Sequence, residues 1–271
     1  MVDFFEKNAS LIKLIVIFFL SFTTCSDSGS TVTPDPEPEP EEPTKGILVF
    51  SKTNEFRHNS IPDGIALIEE IGDSHNLPVT ATEDSTMFNA DTLSNYKVVV
   101  FCSTTGTNLL NSTQRIAFEN FIKAGGGFVG IHSATDTYRD GSWQWYNELV
   151  GAIVQINPYH TPNDHVGTIQ NNDTDNPITT HLGTTWEKTD EFYYWKLNGG
   201  YLFDENITLL TVEATGNSSY DEQRPVCWYK EYDGGRSFYT SLGHNSVDYK
   251  SGEKFKELIE NAILWAGDML P

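Results

Sequence analysis

Histidine can take or give a proton near neutral pH and, unprotonated, can ligate a divalent metal. Three histidines, His58, His132 and His244, stand in or beside the polar turns that follow short strand-like runs. The clearest is His132, which ends the apolar run Gly127-Phe128-Val129-Gly130-Ile131 and opens the polar turn Ser133-Ala134-Thr135-Asp136. Two chemistries fit such a set. In the first, His132 and His58 act as general acid and base, and Glu191 or Asp190 orients the substrate or a histidine. In the second, His58, His132 and His244 hold a divalent metal such as zinc with one exchangeable position, because catalytic zinc sites commonly keep three protein ligands. No short His-x-x-x-His or Cys-x-x-Cys spacing is present to decide between them.

Arg57, Ser133, Asp136, Asp190, Tyr193 and His244 are the expected substrate contacts. The run Asp190-Glu191-Phe192-Tyr193-Tyr194 places two carboxylates beside aromatic rings. That suits a sugar, since rings stack on pyranose faces and carboxylates accept from hydroxyls; it equally suits an acidic loop against core aromatics. Trp143, Trp145 and Trp195 admit the same two readings. His160, His165 and His181 fall in less regular sequence and read as surface histidines, and His75 follows a helical segment and is assigned no role.

These side chains need a frame, and the frame is an alternation of strands and helices. Residues 46–51 and 97–103 are short apolar runs of the kind that forms strands covered on both faces, with 77–82 a further strand. Ser60 and Pro62 open a helix whose apolar stripe is Ile61, Ile65, Ile68 and Ile71; Ser112 is the expected cap of another that ends at Lys123 and is terminated by Gly125–Gly127. Residues 143–150 suggest a helix, and the stretch from there to Gly216 reads as strands and long loops added beside the sheet. Residues 225–232 and 236–244 form a hairpin signal around Asp233-Gly234-Gly235, and 252–266 is an amphipathic helix with Gly267 as its cap. The pattern predicts an α/β fold with a mainly parallel, doubly wound sheet, helices on both faces and an added hairpin. If the second hairpin arm runs parallel to the core strands, all three histidines emerge on the edge where such sheets bind ligands.

Residues 11–22 are almost wholly apolar but shorter than the roughly 20 residues of a membrane-spanning helix, and Cys25 follows them closely. The expectation is a signal peptide over 1–24, lipidation at Cys25, an acidic, proline-rich linker over 25–44 and one folded domain over 45–271. Lipidation would tether the protein to the cell envelope, facing the periplasm or the cell surface, with the lipid as its only membrane contact. Of 38 acidic and 17 basic residues, 8 and 3 lie before Gly46, which leaves the body with a charge of −16. Nucleic acid and anionic lipid are poor partners for that field. Cys102 and Cys227 sit in apolar runs and read as buried, reduced thiols.

The set Phe56-Arg57-His58, Gly125 to Ser133, Asp190-Glu191-Phe192-Tyr193, Pro225-Val226-Cys227-Trp228 and Gly234 to His244 resembles the trehalose-utilisation (ThuA-like) family. The resemblance covers nearly all of residues 46–267. It implies a flavodoxin-like fold of the class I glutamine amidotransferase type and an association with carbohydrate metabolism. In amidotransferase-like relatives, the resemblance implies, the turn after this strand carries a cysteine nucleophile, whereas this sequence has His132 at or beside that position and no Gly-x-Cys-x-Gly elbow, so glutaminase activity is expected to be absent. Asn176-Pro177-Ile178 replaces a segment that commonly reads His-Pro-Ile in the family, which removes any role for a histidine at that position. Two functions remain in view: an extracytoplasmic enzyme (hydrolase, lyase or isomerase) acting on a sugar or oxidised sugar, and a non-catalytic glycan-binding surface lipoprotein.

Overall fold

A computed structural model describes residues 44–216 and 221–270. The expected signal peptide, Cys25 and the linker as far as Pro43 lie outside the described residues. The elements begin β1 (Gly46–Phe50), α1 (Ile61–His75), β2 (Val79–Thr82), α2 (Ala90–Leu93), β3 (Tyr96–Cys102), α3 (Ser112–Lys123), β4 (Gly127–Ile131) and α4 (Gln144–Val150). They continue β5 (Ala152–Ile153), β6 (His165–Asn171), β7 (Thr185–Asp190), β8 (Tyr201–Leu202), β9 (Ile207–Val212), β10 (Arg224–Tyr232), β11 (Gly235–Thr240), α5 (Ser246–Ser251) and α6 (Glu253–Ala266).

Alternate side chains of the central strands feed two separate cores, as the two-residue period of a strand dictates. Ile47, Val49, Val98, Val100, Val129 and Ile131 pack with α1 and α6. Leu48, Phe50, Val99, Phe101 and Phe128 pack with α3 and α4 on the other face. This is why the runs are apolar throughout instead of alternating with polar residues. Cys102 and Cys227 are buried and free within these cores. Among the described residues no helix is long and apolar enough to cross a membrane.

The main sheet has the order β2-β1-β3-β4-β11-β10-β9-β6-β7. Its first five strands are mutually parallel, giving the doubly wound, flavodoxin-like arrangement with β11 in fifth place. Each later neighbour is antiparallel to the one before it. The less regular region therefore extends the main sheet itself, while β5 and β8 form a separate two-stranded pair. Four reversals from β11 bring β7 back to the direction of the core strands, so its carboxyl end emerges on the same edge as theirs.

Several local details differ from the sequence reading. Ser60 precedes α1 as expected, but its hydroxyl makes no cap and donates instead to the Gly243 carbonyl (3.4 Å). The cap of α3 is Asn111, one residue before Ser112: its side chain accepts from the Gln114 amide and the Gln114 side chain accepts from the Asn111 amide. This reciprocal pair is a capping box, and Asn111→Ala is expected to cost about 1 kcal/mol, seen as a lower urea midpoint at unchanged m-value. The second hairpin arm ends at Thr240, because the Leu242 amide turns back onto Thr240 Oγ1 (3.2 Å) and Gly243 adopts φ 106°. A Cβ at Gly243 would lie 2.6 Å from the Tyr249 hydroxyl, so the chain can swing His244 inward only with glycine before it.

Candidate metal centre

His58 sits in the loop after β1, His132 at the end of β4, His244 just beyond β11 and Glu191 immediately after β7. The parallel core and the even number of reversals to β7 put all four on one edge of the sheet. His132 has φ 52°, a strained value for a residue with a Cβ. The Tyr239 hydroxyl donates to its carbonyl (2.7 Å), and its ring is tied to Ser241 (2.8 Å). His132 thus occupies the sharp bend between β4 and the short helical turn that follows it. Cys102, at the end of the neighbouring strand, is fully buried with its thiol pushed up to about 12 by burial, which leaves it no use as a nucleophile.

The ring orientations identify which nitrogens are available. The partner of His132 Nδ1 is the Ser241 carbonyl, which can only accept, so Nδ1 carries the proton and Nε2 an unshared pair. Around that Nε2 lie His58 Nε2 at 3.1 Å, the Tyr193 hydroxyl at 3.2 Å and His244 Nδ1 at 3.4 Å. Glu191 Oε2 lies 2.8 Å from His244 Nδ1. One ligand atom from each of His58, His132, His244 and Glu191 falls within 4.8 Å of the other three. Zinc–nitrogen bonds of about 2.0–2.1 Å give a tetrahedral ligand-to-ligand edge of roughly 3.4 Å, close to the imidazole spacings seen here.

Electrostatics favour the unprotonated ligands a metal requires. Burial, reinforced by neighbouring His132, lowers the His58 pKa to about 2. Burial likewise lowers that of His132 to about 4, against the opposing pull of Asp190. With His58 Nδ1 turned to Ser133 Oγ (3.3 Å), the tautomer that donates there faces its Nε2 lone pair towards the lone pair of His132. That tautomer leaves both Nε2 lone pairs free for a cation, whereas with the Ser133 hydroxyl donating to Nδ1 the His58 Nε2–H would donate to His132 instead. His244 differs: burial opposes its charge, but the hydrogen bond and charge of Glu191 raise its pKa above the ordinary value. Ser241 and Ser133 are the outer partners that fix the two buried rings, the usual supplement to a histidine-ligated metal.

Beneath the histidines runs a buried ionic chain. Lys188 lies 3.0 Å from Asp190 Oδ2 and 2.5 Å from Asp248 Oδ1. Asp190 accepts from the amides of Glu191 (2.8 Å), Gly243 (2.9 Å) and His244 (3.2 Å). Asp190, expected among the substrate contacts, is wholly buried and instead holds the loop that carries His244 and Ser241. Burial works to raise its pKa, but Lys188, His132 and the amide donors prevail and hold it low.

A cavity of about 330 Å³ opens onto the cluster and is lined by His58, Glu191, Tyr193 and His244 together with Asp136 and His160. Of the other expected contacts, Ser133 supports His58 from behind, and Arg57 turns away to the Ser51 carbonyl (3.0 Å) and Glu83 (2.7 Å). Asp136 is in place, with its carboxyl raised to about 6 mainly by burial. Trp143 and Trp195 are core residues, 6% and 4% exposed, and Trp145 is half-buried. His181 contacts Lys254 (2.9 Å) and His75 contacts Glu260 (2.7 Å), on α6, outside the cavity lining. Sequence reasoning missed His160, whose Nε2 lies 3.3 Å from Glu191 Oε1. It arrives through an isolated bridge to Tyr193, and no local spacing announces such a contact.

Several solved structures share this fold. A protein of Bacteroides uniformis described as ThuA-like superposes with TM-score 0.67 and 18% identity over 86% of this chain and 95% of its own. A ThuA-like protein of Parabacteroides merdae gives 0.64 and 20%, over 83% and 90%. Agd3, described as a carbohydrate deacetylase, gives 0.54 and 14% over 83% of this chain, which spans 32% of that larger protein. Comparison with curated proteins by sequence gives no match. The family described as "Trehalose utilisation" matches residues 46–266, from the first strand to the end of the last helix, and the chain belongs to this carbohydrate-related ThuA family.

Proposed function

We propose that this protein is a metal-dependent enzyme that adds water across a bond of a carbohydrate derivative. The observation that carries the reading is the convergence of His58, His132, His244 and Glu191 at the head of a cavity, with the buried imidazoles held neutral. The donor set of three nitrogens and one carboxylate suits zinc or a similar divalent ion. Such an ion supplies Lewis-acid polarisation of a substrate oxygen and a nucleophile made from water near neutral pH. The protein's own groups orient and exclude: Tyr193 donates its hydroxyl to the cluster, Glu191 holds His244 and His160 with its two oxygens, and Asp136 offers a carboxyl that changes protonation near pH 6. The family supports a sugar-type substrate, and the deacetylase activity ascribed to Agd3 makes acetylated sugars a suitable first panel.

The test is elemental analysis of protein purified without a chelating tag, followed by turnover assays on acetylated and unmodified saccharides before and after chelation. About one divalent ion per chain, with turnover lost on chelation and restored by metal, is the expected result. Folded protein that takes up no zinc, manganese, cobalt or nickel would overturn the metal reading. Metal without turnover on any saccharide would favour a glycan-binding role.

The same reading places the enzyme outside the cytoplasm, tethered through Cys25. The apolar run at residues 11–22 and the acidic, proline-rich stretch that follows support it. Metabolic labelling with a fatty acid should mark the natural chain and not Cys25→Ser.

A further inference from the structure

We infer that the substrate is an uncharged saccharide whose terminal pyranose packs against Phe56 and Tyr159, with Glu55 and Asp136 excluding anionic sugars. This rests on the carbohydrate reading above and deepens it. Phe56 is 66% exposed at the mouth of the cavity, with its ring edge-on to His58 at 4.8 Å. An aromatic ring left in water beside a pocket is an unused apolar face, and ligand pockets combine such faces with a few polar groups. Tyr159, 39% exposed, lines the same cavity and is steadied by the Arg139 guanidinium 5.1 Å from its ring centre.

The polar lining decides the charge of the ligand. Arg139 pairs with Asp136 and with Glu55 (3.3 Å), so the one arginine of the cavity is already compensated twice over. With Glu191, three carboxylates face one guanidinium, and even a divalent ion at the histidines leaves no surplus positive charge for a phosphate or carboxylate. Hydroxyls, by contrast, can donate to Asp136 and Glu55. A cavity of about 330 Å³ is near the lower end for small-molecule sites, which suits a terminal unit and not the interior of a polysaccharide.

The test is ligand-observed NMR and calorimetry on the purified protein with methyl glycosides of glucose, galactose, mannose and N-acetylglucosamine. Each is paired with its 6-phosphate or uronate at fixed ionic strength. At least one neutral glycoside should bind, more tightly than its anionic counterpart. Phe56→Ala should weaken that binding about ten-fold, and Phe56→Trp should largely restore it. Metal content and melting temperature are read on the same samples and should not move. Failure of every neutral glycoside to bind, tighter binding of an anionic sugar, or indifference to Phe56→Ala would each overturn the inference. The two readings fail separately: neutral sugars bound through Phe56 by a protein that takes up no metal would remove only the metal centre. Stoichiometric metal with binding indifferent to Phe56→Ala would remove only this subsite.

Discussion

Alanine at His132 is expected to weaken binding of a divalent ion roughly a thousand-fold, well beyond the 10–100-fold loss typical of an outer-shell partner. His132 Nε2 is the hub of the cluster, within 3.1–3.4 Å of His58, Tyr193 and His244, so its removal deletes the atom against which the other donors are arranged. The Ser241 carbonyl also loses its donor in a fully buried position, a stability cost of about 1–3 kcal/mol. Alanine keeps a Cβ at φ 52° and so leaves the backbone strain as it was, which makes the variant a fair comparison. Ser133→Ala supplies the graded control: it removes the partner of His58 Nδ1 without removing a donor, and should weaken metal binding by about 10–100-fold. Competition with a chromophoric chelator measures both. Equal affinity in the natural protein and His132→Ala would move the chemistry to an acid–base histidine pair.

The rule that strand ends carry chemistry was enough to pick out His58, His132 and His244, because burial on both faces marks a core strand and a core strand has only one useful end. What the sequence could not show is which way neighbouring side chains point. Asp190 and Glu191 are consecutive at the end of an extended strand, so they face opposite sides: Glu191 lines the cavity and Asp190 enters the protein. In the loop after β1, Phe56 and His58 line the cavity while Arg57 between them turns out to pair with Glu83. The tryptophans, read as either sugar platforms or core, are largely core because the sheet face under α3 and α4 is packed with aromatic rings. The exposed aromatics that line the cavity are Phe56 and Tyr159, on loops where no periodicity exists to be read. The extent of the antiparallel half was also hidden, since β6, β7 and β9 are interrupted by polar residues and have none of the continuous apolar character of β1 and β4.

Lys188→Met should destabilise the fold by about 3–5 kcal/mol near pH 8, the usual consequence of removing one member of a buried ionic group. Methionine keeps the length and most of the volume of lysine, so the loss is one of charge and not of packing. Asp190 and Asp248 would then share a buried space with no cation between them; Lys188 is the side chain paired with both. The pH dependence gives the test its sign. Asp248 already has its pKa raised to about 6, first by burial and then by Asp190, with Lys188 opposing. Without Lys188 that value rises further. A carboxyl whose folded pKa lies above its unfolded value binds its proton more tightly in the folded state, so it gives up stability as pH rises through the folded value. The deficit of Lys188→Met should therefore be largest at pH 8 and shrink towards pH 5, as measured by urea denaturation at each pH. A deficit that stayed constant across this range would show that Lys188 acts through packing alone. Loss of metal affinity in the still-folded variant at pH 8 would show in addition that the Lys188–Asp190 pair transmits its order, through the Gly243 and His244 amides, to the histidine that completes the site.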